Sequence, residues 1–68
     1  MHVLDVVALT DDLPSSGLYR GQVGTVVEPL APDVFEVEFS DISGRTYATL
    51  ALHAQQLTAL HHAPVPTA

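Results

Sequence analysis

The amino-acid sequence predicts an all-β fold, a small, partly open barrel of about five antiparallel strands with one short helical turn before the last strand. Three observations carry that prediction. Apolar and polar residues alternate with period 2 through several short runs, whereas no window shows the ~3.6-residue periodicity of an amphipathic helix. Clusters of Pro, Gly, Asp and Ser separate those runs at short intervals. The chain is 68 residues long, room for one domain and no more.

"VLDVVAL", residues 3–9, is rich in β-branched residues and reads as the first strand. The polar stretch "TDDLPSSGLYRG" then forms a loop, with Pro14 pre-setting a turn and Gly17 supplying positive φ where the chain doubles back. Leu13 and Leu18 are expected to fold this loop over the barrel end, which keeps it ordered. "QVGTVVE", residues 22–28, begins the second strand, and Gly24 within it marks a bulge or a close backbone approach. The two prolines of "EPLAPD", residues 28–33, mark the end of that strand and a turn.

"VFEVEFS" is the clearest element: Phe35, Val37 and Phe39 alternate with Glu36 and Glu38, as in a strand buried on one face with its acids outward. "DISG", residues 41–44, is turn chemistry, since Asp and Ser side chains can hydrogen-bond the local backbone. "RTYATLAL", residues 45–52, is the fourth strand, with Thr46, Ala48 and Leu50 on one face and Tyr47, Thr49 and Ala51 on the other. A single helical turn is expected over His53–Gln56, followed by a short closing strand in "LTAL". Residues 61–68, "HHAPVPTA", read as a disordered tail outside a domain of residues 1–60. A long first loop, tight later turns and one helical turn before the last strand suggest the SH3-like type of barrel. The competing ubiquitin-like α+β roll needs a real helix, and no window supplies one.

Composition excludes several classes of function. A chain this short buries roughly 60% of its unfolded surface, so its stability is expected to be a few kcal/mol. There is no cysteine, hence no disulfide and no thiolate zinc site, which fits a reducing, cytoplasmic setting. Eight acids face only two arginines, without a lysine, and the formal net charge is −6. Nucleic-acid binding and docking on anionic lipid both depend on basic patches, so both are disfavoured. "MHVLDVVAL" lacks the basic start of a signal peptide, and no apolar run approaches the ~20 residues of a membrane span. The apolar share of 47% is high for so small a domain, which points to self-association, as a homodimer, or to a partner protein.

No catalytic or cofactor motif emerges. "GQVG" has neither the spacing nor the following helix of a phosphate-binding loop. Asp11 and Asp12 are too few ligands for calcium, and His2, His53, His61 and His62 lack metal-site spacing. No nucleophile-elbow sequence surrounds any serine, and a barrel of this size has little interior for a water-excluding pocket. The expectation is therefore no enzyme, no cofactor and no metal. Residues suited to a partner surface are Asp11, Asp12 and Tyr19 in the first loop, Glu36 and Glu38 on the third strand, and Tyr47 on the fourth.

"LDVVALTDDLPSSGLYRGQVGTVVE" followed by "FEVEFSDISGRTYATLALHAQQL" resembles a small bacterial family, the domain of unknown function 4926, over roughly residues 3–60. The loop and the third strand match its pattern in order and spacing. The resemblance implies an SH3-like barrel without assigned activity, and an accessory, chaperone-like or antitoxin-like role beside a partner protein. More loosely, "LYRGQVGTVVE" is similar to the KOW-type segment of ribosomal and transcription-elongation barrels. That second likeness implies RNA or ribosome contact, but the basic surface of those barrels is missing here. The leading expectation is thus a protein-binding or assembly module with an acidic surface and a basic partner, and the alternative is a nucleic-acid- or ribosome-associated barrel.

Overall fold

A computed structural model of the chain describes residues 1–60, so the tail expected over 61–68 lies outside the described residues. Five strands, β1 (Val6–Leu9), β2 (Val23–Ala31), β3 (Val34–Ser40), β4 (Thr46–His53) and β5 (Leu57–Ala59), form one sheet in the order β4-β3-β2-β1-β5. Every pairing is antiparallel. The first and last strands pair while β2, β3 and β4 run as a meander, an unclosed sheet consistent with the small, partly open barrel expected from the sequence. The only helical pieces among the described residues are two single 3-10 turns, Pro14–Ser16 and Ala54–Gln56.

Alternation sets which side chains meet. Val7 and Leu9 of β1, Val26 of β2, Phe35, Val37 and Phe39 of β3, Leu52 of β4 and Leu57 of β5 all bury on the inner face. Every buried side chain among the described residues is apolar. Gly24 of β2 faces β3 with no room for a side chain: a Cβ there would stand 2.7 Å from Val37 Cγ1 and 3.0 Å from both the Glu38 carbonyl oxygen and Phe39 Cδ1. The missing side chain is what lets the two strands approach.

The β1–β2 connection is a packed loop. Leu13 and Leu18 exchange backbone hydrogen bonds of 2.8 and 3.1 Å, and the Pro14–Ser16 turn between them closes on Gly17, whose φ of 70° lets its N–H reach the Pro14 carbonyl at 3.1 Å. Leu18 is only 1% exposed and joins the core, with Leu13 packed against it. The expected role of these two leucines is the observed one.

Two element boundaries and one strand face differ in substance from the sequence reading. The first strand begins at Val6, because residues 2–5 make a turn: the His2 amide donates to Asp5 Oδ2 (2.7 Å), the Asp5 amide to the His2 carbonyl (3.0 Å), and Leu4 takes φ 73°. The second strand runs through Pro29 to Ala31 instead of stopping at Glu28. Proline is tolerated because the β2–β3 register shifts between Val26 and Glu28 and again between Pro29 and Ala31. The turn is confined to Pro32 and Asp33, between the paired Ala31 and Val34, and neither residue has positive φ. Finally, Thr46 does not share a face with Ala48 and Leu50. A register shift opposite Ser40 sends its hydroxyl to the outer-face acid Glu38.

At the β3–β4 turn Asp41 organises the backbone. Its Oδ1 accepts from the Ser43 hydroxyl (2.6 Å), the Ser43 amide (2.9 Å) and the Arg45 amide (3.0 Å). Chiefly the Ser43 hydroxyl, and then the Arg45 amide, hold its carboxyl below the ordinary value of 3.8. The second 3-10 turn is pinned by the His53 amide donating to Gln56 Oε1 (2.9 Å) and the Ala54 amide to the Asp33 carbonyl (2.8 Å). It then hands the chain to β5, with the Thr10 amide donating to the Gln56 carbonyl at 2.9 Å.

Candidate interaction surface

Four of the six residues that the sequence singles out, Glu36, Glu38, Tyr19 and Tyr47, fall into two adjoining groups. On β3, Glu36 lies opposite Glu28 of β2 and Ala51 of β4, and Glu38 lies opposite Thr25 and Thr49. Directly opposed residues of an antiparallel pair share a face. Glu28, Glu36 and Glu38 therefore form an acidic row on the outside of the sheet, bordered by the small side chains of Thr49 and Ala51. Glu28 is exposed, and Glu36 and Glu38 are half-buried by their neighbours. Neither arginine pairs with this row in the ladder, since Arg20 belongs to the β1–β2 loop and Arg45 to the β3–β4 turn.

The second group is aromatic. Tyr19 in the loop and Tyr47 on β4 are 53% and 50% exposed, and one side chain holds both. Gln22 accepts from the Tyr19 amide through Oε1 and donates through Nε2 to the Tyr47 hydroxyl at 3.2 Å. Tyr47 follows Thr46, whose hydroxyl donates to Glu38 Oε1 at 2.7 Å. Side-chain hydrogen bonds at the neighbouring residues Thr46 and Tyr47 thus tie this end of β4 to Glu38 on one side and, through Gln22, to the backbone of Tyr19 on the other.

The two loop acids behave differently from each other. Asp12 Oδ1 accepts from the Arg20 amide at 2.9 Å, so Asp12 braces the loop beside Tyr19. Asp11 is exposed and makes no side-chain hydrogen bond among the described residues. Gln22 and Glu28 were not among the residues singled out from the sequence. Both gain their significance from register, because nothing in residues 19–22 announces a link to residue 47, and Glu28 meets Glu36 only through the shift after Val26.

Chemically, the surface offers carboxylates and half-exposed aromatic rings on a rigid sheet. Among the described residues there is no group of three His, Cys, Asp or Glu side chains placed to hold a metal ion, and no helix is long and apolar enough to cross a membrane. No curated protein and no solved structure matches the chain. One family model does, over residues 3–59, a span that includes every strand of the sheet and both groups of surface residues. The chain accordingly belongs to the family described as a domain of unknown function (DUF4926).

Proposed function

We propose that this chain is a non-catalytic accessory module that binds a basic protein through the outer face of β3 and the Tyr19–Gln22–Tyr47 cluster beside it. The observation that carries this reading is the direct opposition of Glu28 and Glu36, with Glu38 next along the same face. Like charges placed opposite each other cost a sheet about 0.2–1 kcal/mol, and a small domain has little stability to spare. A cationic partner converts that cost into complementarity, raising the rate of encounter and fixing the orientation of docking. The half-exposed tyrosines supply the rigid, amphipathic contact area typical of the centre of an interface.

The test is a paired capture from native lysate, with the wild-type chain and the Glu36→Gln/Glu38→Gln variant as baits. A stoichiometric basic protein retained by the wild type, released by salt and lost from the variant supports the reading. Equal retention by both baits, or no retained protein, overturns it.

A further inference from the structure

The sheet is open, and its two edge strands differ. β5 is three residues long, whereas β4 spans eight, pairs with β3 along its length and has no described strand on its other side. An exposed edge of that length normally carries proline, lysine or an inward charge to block further pairing. β4, "TYATLALH", has none of these before its terminal histidine. Two of its three inward side chains also lack full cover: Leu52 is buried, but Ala48 and Leu50 pack against the core and remain only half-buried.

We propose that the β4 edge accepts an extended strand of a partner in which basic and apolar side chains alternate. This rests on the reading of the acidic face given above and names the partner's chemistry and seat. Strand addition would satisfy the free backbone groups of β4 and place every second side chain of the incoming strand over Ala48 and Leu50, which calls for apolar residues there. The intervening side chains fall on the outer face, next to Thr49 and Ala51. Beyond those small residues, two strand spacings or about 10 Å from the incoming strand, stand Glu38 and Glu36. The long arms of arginine or lysine and of glutamate together cover that distance, and Thr49 and Ala51 leave the way clear. The acids thus select for cations at alternate positions of the guest.

A second copy of this chain fits the same edge less well. An antiparallel β4–β4 pair would set two uncharged strands side by side, leave both acidic rows without cations and join two chains of net charge −6. Arg20 and Arg45, the only cations apart from histidine and the N-terminus, lie outside the strand.

The test uses the full chain, isotopically labelled, and a synthetic eight-residue peptide of alternating arginine and valine, with an alternating glutamate and valine peptide as control. The expected result is salt-sensitive binding of the basic peptide only, with slowed hydrogen exchange at alternate amides of Thr46–His53. Glu36→Gln/Glu38→Gln is expected to weaken that binding roughly tenfold, the effect of two partly screened charge contacts. Salt-sensitive binding without protection in β4 overturns strand addition while leaving the basic-partner reading standing. No salt-sensitive binding of the basic peptide overturns both. Concentration-dependent protection of β4 without peptide shows that a second copy takes the edge, and also overturns the proposal.

Discussion

Single residues set limits on this fold that can be measured directly. Gly24→Ala forces a methyl group to 2.7 Å from Val37 Cγ1, and the other close neighbours are a backbone oxygen and a core ring. None of these is the free end of a flexible side chain, so overpacking wins over the lower entropy of the unfolded alanine chain. A loss of about 1–3 kcal/mol is expected, read from the midpoint of urea unfolding. Leu4 presents the opposite case, since it is 73% exposed and holds φ 73° with a branched side chain. Leu4→Asn is expected to raise stability by up to about 1 kcal/mol, because asparagine visits that region at lower cost. Asp41 has a pH signature. With its folded pKa below the ordinary 3.8, its stabilising effect is complete above that value and disappears as pH falls through the lowered one. In acid unfolding, the gap between wild type and Asp41→Asn is therefore expected to close below pH 3.8 and to be constant above pH 5 or so.

Elements show where sequence reading succeeds and where it needs the third dimension. β3 was legible because three inward apolar residues alternate with two acids, and the β3–β4 turn because "DISG" has one dominant way to satisfy its own backbone. The end of β2 was not. Proline argues against a strand unless the ladder is already irregular, and that irregularity arises from pairing with β3, which local sequence does not encode. The start of β1 failed for a related reason, as "VLD" has strand-like composition but Asp5 captures the His2 amide and turns the chain. The first loop was read correctly as ordered, and Leu18 is the residue that makes it so. Leu18→Ala is expected to cost about 2–5 kcal/mol, comparable to the whole stability of a domain this size. Loss of chemical-shift dispersion throughout the spectrum, and not only in the loop, is the expected outcome, because Leu18 belongs to the common core.

At the scale of the whole molecule, Glu38 is tied to the fold by the Thr46 hydroxyl, whereas Glu28 and Glu36 oppose each other across β2 and β3, the arrangement from which a partner role is proposed. The acidic character of the candidate surface was legible from composition and from the third strand. Its contiguity was not, since Glu28 reaches the row only through the β2 register shift, and it is Gln22 that ties the Tyr19 backbone to the Tyr47 hydroxyl. The most direct test is the urea unfolding of Glu28→Gln/Glu36→Gln beside the wild type at low salt. Glutamine keeps the shape and the hydrogen-bonding oxygen of glutamate while removing the opposed charges. If the acids serve a partner, the variant is expected to be more stable by about 0.2–1 kcal/mol, with the difference shrinking as salt is added. A variant less stable than the wild type would show that the row contributes to the fold itself, and would contradict the assignment of this face to a partner.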